Sequence, residues 1–240
     1  MSRSVPQDPE TRAELTKLAF LFGVDEPELA FLAALPAPAL RTFRDRATDA
    51  LYAQDRARLE LAAQAAALLP VPVAAKIAQV GFGPMLSAAL AGLLEPSRAV
   101  GISRRLPIAF LAESSIHLDP RRAPDVVAAL PAEIVAQVGR TLAERGLHVI
   151  AARFVGYLPP ASLAQAVAAL DDADLLRTAF VLEDKGRLDD LVELTRDRWA
   201  ALIATARREG VWDRALALAR GLSTEHRRAL ADVAAAGGPP

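Results

Sequence analysis

The sequence predicts an all-α fold, an α-solenoid in which helix pairs stack into a superhelix. Alanine and leucine supply most of the 52% hydrophobic content, whereas aromatic residues contribute only 5%. Small helix-forming side chains suit helices in close contact better than a sheet. Leu-Pro pairs also recur along the chain, and each is followed by apolar residues at helical spacing. With 240 residues, the chain is long enough to bury a substantial core.

Residues 1–67 are predicted to form an N-terminal helical region. The segment Asp8-Pro9-Glu10 provides an N-cap, a proline at the first helical position and an acid in the first turn, and Asp25-Glu26-Pro27 repeats this signal. A long amphipathic helix is predicted to follow. Its apolar stripe, which we expect to face the core, includes Leu40, Phe43 and Leu61.

Residues 68–185 are predicted to form helical repeats, each headed by a Leu-Pro pair. Proline pre-sets the backbone at a helix start and disfavours helical geometry in the preceding residue, so each pair is predicted to end one helix and begin the next. Within the first repeat, Gly81-Phe-Gly-Pro84 predicts a helix break. The four heads are Leu69-Pro70, Leu106-Pro107, Leu130-Pro131 and Leu158-Pro159, with an earlier pair at Leu35-Pro36.

The pattern changes after residue 185, and residues 186–236 are predicted to form C-terminal helical hairpins. The segment from Gly210 to Ala219 is typical of the second helix of a tetratricopeptide-like hairpin. Residues 237–240 read Gly-Gly-Pro-Pro and have no apolar side chain with which to pack on a core. We expect them to be a disordered tail.

Three of the Leu-Pro heads continue in a similar way, as Lys76-Ile-Ala-Gln-Val80, Ile134-Val-Ala-Gln-Val138 and Leu163-Ala-Gln-Ala-Val167. Over roughly residues 68 to 185, this pattern resembles the helical-repeat cytosolic domain of MgtE-type magnesium channels. The resemblance implies a superhelix of short helical units, which in that family is a regulatory module beside a nucleotide-binding-like pair and a membrane pore. We find neither neighbour in this sequence. We therefore expect the superhelix to provide a docking surface rather than a transport function.

Composition argues against several classes of function. The formal net charge of −1 predicts no general attraction to nucleic acid. The absence of cysteine excludes disulfides, thiolate nucleophiles and cysteine-based zinc sites. The polar start predicts no secretory signal, and the prolines and glycines that interrupt the apolar stretch 62–94 predict no transmembrane segment. We therefore expect a cytoplasmic protein.

No catalytic, cofactor or metal site is predicted. The acidic group of Asp171, Asp172 and Asp174 lacks the glycine and the distal glutamate of a calcium loop, and helix capping explains it better. Ser114 and Ser115 lack the glycines of a nucleophile elbow. An enzyme therefore ranks third among the hypotheses, and its least implausible polar cluster consists of Glu113, His117 and Arg153.

The leading hypothesis is a non-enzymatic module for protein–protein interaction or scaffolding. Tryptophan beside arginine is a frequent anchor of protein interfaces, and paired loop arginines could line one edge of a solenoid. Core packing between the terminal helices explains the tryptophans equally well. The predicted partner-binding residues are Trp199, Trp212, Arg104, Arg105, Arg121 and Arg122.

The alternative hypothesis is binding of a small hydrophobic ligand or lipid in an apolar cavity between the helices. Such a pocket needs apolar walls and a few polar groups. Ordinary core packing is the simpler explanation of the same side chains. The predicted wall residues are Phe82, Met85, Phe110, Phe154 and Tyr157. The identity of the partner or ligand and the oligomeric state are not predicted.

Overall fold

The computed structural model describes residues 8–182 and 184–236, and every regular element in these two ranges is helical. The all-α prediction is therefore confirmed. The predicted tail, residues 237–240, lies outside the described residues.

The helices follow one another with short connections. In chain order they are α1 (Pro9–Phe22), α2 (Ala37–Ala67), α3 (Val71–Ile77), α4 (Gly83–Ala91), α5 (Pro96–Ser103), α6 (Ile108–His117), α7 (Pro124–Ala129), α8 (Ala132–Glu144), α9 (His148–Phe154), α10 (Pro160–Ala168), α11 (Asp172–Phe180), α12 (Leu188–Leu194), α13 (Trp199–Arg208), α14 (Trp212–Ala219) and α15 (Thr224–Ala236).

Helix α1 and the 3-10 turn after it begin as the sequence predicts. The Asp8 carboxylate accepts hydrogen bonds from the backbone N–H groups of Glu10 and Thr11, which would otherwise have no partner within the helix. Asp25 opens the turn Glu26–Leu32 with a capping box. Both N-cap predictions are confirmed.

Each of the five Leu-Pro pairs stands directly before a helix. The prolines occupy the N-cap positions of α2, α3, α6, α8 and α10, with φ between −56° and −69° and ψ between 133° and 155°. This backbone geometry is extended, so the preceding helix has already ended when the next one begins. The predicted role of the pairs as helix boundaries is confirmed.

Arginine side chains cover the free carbonyl groups at several helix ends. One Nη atom of Arg98 in α5 donates to the Ala66 carbonyl oxygen, at 2.7 Å, and also to that of Leu69. Cations are favourable at a helix C-terminus, where the last carbonyls have no intrahelical partner. Similar hydrogen bonds run from Arg153 to Leu118, from Arg187 to Leu158 and from Arg198 to Val167 and Leu170. We call these four residues the capping arginines.

From α3 to α13, helices pack mainly against the next helix but one in the chain. Helix α4 contacts α6, α6 contacts α8, and α8 contacts α10. On the other side, α3 contacts α5, α5 contacts α7, α9 contacts α11, and α11 contacts α13. The largest cluster of buried apolar residues lies in the C-terminal half and includes Leu163, Leu182 and Leu188. Helices α1 and α2 share a separate cluster around Leu18 and Leu40.

Helix α3 continues through a π-helical turn, Ala78–Phe82, and the chain then breaks at Gly83. The backbone of Gly83 has φ of 72° and ψ of 177°, which a residue with a side chain rarely adopts. The helix break predicted within residues 81–84 is therefore confirmed.

Among the described residues, the run Val71–Ala91 is long and apolar enough to cross a membrane by length and composition. Of an apolar 18-residue stretch within this run, 28% is buried in the structure.

One prediction about α2 is wrong. Leu40 is fully buried against α1, but Phe43 is 49% exposed and Leu61 is 68% exposed. The length of α2, which outreaches α1, explains the exposure of Leu61. Phe43 still lies beside α1, with its ring centre 6.3 Å from that of Phe22. The second half of α2 instead packs on α4 through Leu59 and Ala63, which occupy a different face of the helix.

Candidate functional site

An apolar cavity of 220 Å³ lies between the two sets of alternating helices. Residues from every helix between the end of α2 and α12 line it, and none of them carries a charge. The cavity is larger than the engineered apolar cavity of about 150 Å³ that stays dry and binds benzene. It is therefore large enough for a small apolar molecule.

Among the described residues, hydroxyl groups are the only polar side-chain groups at the wall. Three of them donate to backbone carbonyls: Ser87 to Ala78, Ser103 to Val100 and Ser115 to Leu111. The hydroxyls of Ser114 in α6 and Thr178 in α11 are buried and have no hydrogen-bond partner among the described residues. A buried polar group without a partner costs free energy, so these two hydroxyls are the unsatisfied polar groups of the wall.

The structure brings three of the five predicted wall residues to this cavity. Phe82, Phe110 and Phe154 line it. Met85 does not, and its side chain is largely exposed. Tyr157 packs against the C-terminal core cluster instead.

Gly139, in the middle of α8, leaves part of the wall open. It lines the cavity, and a Cβ atom placed on it would meet no heavy atom within 4 Å outside its own helix backbone. Glycine in a helix interior costs about 1 kcal/mol relative to alanine. The sequence carries no sign of this position or of the two unpartnered hydroxyls, because a void exists only once the helices are packed.

The two predicted tryptophan anchors have partners within the chain. Trp199 is 5% exposed, and its indole N–H donates to the Val192 carbonyl oxygen at 2.8 Å. Its ring therefore belongs to the core and is not presented as a surface anchor. Trp212 is half-buried, and the guanidinium of Arg207 lies 5.0 Å from its ring centre.

The predicted arginine edge divides into two parts. Arg104 and Arg105 are exposed at the end of α5. Arg121 and Arg122 instead pair with Asp49 of α2, at 3.3 and 2.6 Å. Protein binding through this set of residues stays a prediction.

The pairing of Arg121 also affects its neighbour Asp119. Burial alone would raise the pKa of Asp119, but the hydrogen bonds and charge of Arg121, together with the charge of Arg153, hold the pKa below its usual value. Hydrogen bonds and charge from Asp119 likewise raise the pKa of Arg121. Both side chains remain ionised in the neutral range, and the pair of Arg121 with Asp49 ties the turn before α7 to helix α2.

The polar cluster considered for an enzyme has other partners. Glu113 pairs with Arg145 of the loop after α8 at 2.7 Å, and Arg153 donates to the Leu118 carbonyl as a capping arginine. His117 is exposed at the end of α6. The first two side chains thus have structural roles between neighbouring helices.

A histidine joins the C-terminal helices α12 and α15. Nδ1 of His226 lies 2.6 Å from an Asp189 carboxylate oxygen, and Nε2 lies 3.2 Å from Glu193. The hydrogen bond to Asp189 is the main cause that raises the pKa of His226 above its ordinary value of 6.5. His148 is the opposite case, because burial lowers its pKa despite the nearby carboxylate of Asp174.

We expect the His226 contacts to make stability depend on pH above 6.5. A histidine with a raised pKa stabilises the fold while it is protonated, and this contribution is lost as pH rises through the folded-state pKa. The free energy of unfolding of the wild type should therefore fall relative to that of His226→Gln between about pH 6 and pH 8. Urea denaturation of both proteins across this range measures the difference.

The His148→Gln variant is the control, because its effect has the opposite sign and lies below pH 6.5. His148 is neutral when folded and must take up a proton on unfolding, so the wild type loses stability as pH falls below 6.5. His148→Gln should reduce this loss and leave the profile above 6.5 unchanged. Parallel pH profiles for the wild type and His226→Gln would contradict the role given to His226.

The acidic group at the start of α11 acts as a helix cap. The Asp171 carboxylate accepts a hydrogen bond from the Asp174 backbone N–H at 2.8 Å. Across the described part of the chain, no group of three or more histidine and acidic side chains has the geometry to hold a metal ion.

Comparisons with protein-family models, with curated proteins and with solved structures found no match to this chain.

Proposed function

We propose that this chain is an α-solenoid that binds a small apolar molecule in the cavity between its two sets of helices. The solenoid arrangement is inferred from the way alternate helices contact each other from α3 to α13. The observation that carries the function is the cavity itself, 220 Å³ with an uncharged and mostly apolar wall.

The apolar character of the wall supports an occupant. A ligand that fills the space would gain dispersion contacts with wall residues that otherwise lack them.

The uncharged wall defines the chemistry of the ligand. Most of the ligand surface is aliphatic or aromatic, because no charge among the described wall residues can pair with an ionised group. A neutral molecule with an apolar body fits this description.

Filling the cavity from α8 tests the proposal. Gly139→Leu places a side chain in the open space, and it also raises the helix propensity of α8. We expect this variant to fold and to bind the neutral fluorescent probe N-phenyl-1-naphthylamine at least about tenfold more weakly than the wild type. Fluorescence titration measures the affinity.

Gly139→Ala is the matched control, because its methyl group fills little of the cavity. It should bind the probe nearly as well as the wild type and be more stable by up to about 1 kcal/mol. Equal probe affinity in the wild type and Gly139→Leu would place the probe elsewhere and refute the proposed cavity. Mass spectrometry of an organic extract of the purified protein would then identify the natural ligand.

A further inference from the structure

An exposed apolar surface adjoins one end of the cavity. It is formed by the end of α2, by α3 with its π-helical turn, and by α4; we call residues 61–94 the apolar tip. Leu68 is 87% exposed and Val80 is 71% exposed. When apolar side chains of this size form a patch, the patch usually marks a site that binds another protein or a membrane.

The exposed apolar side chains of the tip have helical spacing within each element. Leu61 and Leu68 are seven residues apart in α2 and its cap, and Val73 and Val80 are seven apart in α3 and the π-helical turn. Residues seven apart lie on the same side of a helix. The tip therefore presents apolar ridges rather than isolated side chains.

Charge is nearly absent from the tip. Between Leu61 and Leu94 the only ionisable side chain is that of Lys76, which is exposed between Val73 and Val80. By length and composition Val71–Ala91 is apolar enough for the interior of a bilayer. The tip contains no acidic group and its one ionisable side chain is a cation, so an anionic lipid surface suits its charge.

The position of Lys76 also argues against a second copy of the chain as the occupant. In a symmetric dimer the same patch meets itself, so two Lys76 side chains would enter one apolar interface that offers no carboxylate to pair with them. At a lipid surface the long lysine side chain can instead extend to the phosphate groups while its neighbours contact the acyl chains.

From these observations we infer that the apolar tip docks on an anionic lipid surface, with Val73, Val80 and Met85 entering the acyl boundary and Lys76 contacting phosphate. Phe82 both lines the cavity and is 36% exposed, so at this point the cavity wall is also the surface of the tip. Movement of this side chain would let a ligand pass between the lipid and the cavity. This exchange, unlike the docking, rests on the proposed function.

Vesicle flotation tests the docking. The full chain is mixed with vesicles of phosphatidylcholine with phosphatidylglycerol, and the bound fraction is compared with that of the double variant Val80→Asp, Met85→Asp. Both side chains are mostly exposed, so we expect the fold to persist, as circular dichroism would show. Wild-type protein should float, and the double variant should bind about tenfold more weakly.

Two further variants serve as controls. Phe31→Asp removes an apolar side chain that is 61% exposed outside the tip, and it should float like the wild type. Lys76→Glu should weaken binding to vesicles that contain phosphatidylglycerol more than to pure phosphatidylcholine. The inference would be overturned if the wild-type protein did not bind the vesicles. It would also be overturned if the double variant floated as well as the wild type. A dimer that the double variant abolishes would also overturn it in favour of a second copy.

The two proposals can fail separately. We expect the double variant to bind N-phenyl-1-naphthylamine like the wild type, because neither side chain lines the cavity. We expect Gly139→Leu to lose the probe and still float. Loss of flotation in Gly139→Leu would show that docking depends on an occupied cavity, which contradicts docking by the tip alone.

Discussion

Replacing Glu14 by glutamine is expected to lower the free energy of unfolding by about 3 to 5 kcal/mol, because it removes a buried carboxylate that three cations share. The Glu14 carboxylate is 1% exposed and accepts from Lys17 at 3.0 Å, from Arg41 at 3.1 Å and from Arg44 at 2.9 Å. Lys17 is almost as deeply buried as Glu14. Urea denaturation of the two proteins at neutral pH measures the loss.

Arg41→Met is the matched control for Glu14→Gln. The Arg41 side chain is 40% exposed, and its removal leaves the Glu14 carboxylate paired with Lys17 and Arg44. We expect a loss below about 1 kcal/mol. If both variants lose the same free energy of unfolding, the charge of Glu14 does not contribute to stability. Glu14 would then matter only for packing between α1 and α2.

Leu142→Ala is expected to lower the free energy of unfolding by about 3 to 5 kcal/mol. The substitution enlarges an existing cavity, so the surrounding side chains cannot relax to fill the space that Leu142 leaves. Leu142 in α8 is 2% exposed, lines the cavity and belongs to the cluster of Ala112 and Ile150. Thermal unfolding and urea denaturation both measure this effect. Leu216→Ala, at a position 44% exposed, should cost less than about 1 kcal/mol and is the control.

The same variant connects stability to ligand binding. A ligand that binds only the folded protein stabilises it, so saturating N-phenyl-1-naphthylamine should raise the unfolding temperature. We expect the increase to be larger in Leu142→Ala than in the wild type, because the enlarged space admits more of the probe. An increase of the same size in both proteins would indicate that the probe binds away from Leu142.

The helix boundaries could be predicted from the sequence because they are local backbone effects. Proline acts on its own φ angle and on the residue before it, and an aspartate N-cap acts on the next two or three N–H groups. The Leu-Pro pairs and Asp8 therefore gave starts that agree with the structure. Gly83 likewise breaks the helix where the glycine–proline pattern predicts.

The candidate site could be predicted only in part, because it depends on contacts between residues far apart in the chain. The ion pairs of Glu14 reach Arg41 and Arg44, which lie 27 and 30 positions away. No short motif marks such contacts. The apolar stripe of α2 also appears uniform in the sequence, although α1 covers Leu40 and no helix in the described part of the chain covers Leu61.

Aromatic residues were the least informative part of the sequence. Phe82, Phe110 and Phe154 line the cavity, whereas Trp199 fills the core and hydrogen-bonds with its own chain. Each of these side chains is apolar and large enough to serve as a core residue, a pocket wall or an interface anchor. Which role a residue takes depends on the space left by its neighbours, and the sequence carries no direct signal for that space.

The capping arginines have a consequence for how the protein unfolds. Arg98, Arg187 and Arg198 each close a helix end that lies 28 to 32 positions earlier in the chain. Local opening of the segment that carries an arginine exposes the carbonyls of the earlier helix as well. Neighbouring segments should therefore exchange their amide hydrogens as one cooperative unit, instead of fraying one helix at a time.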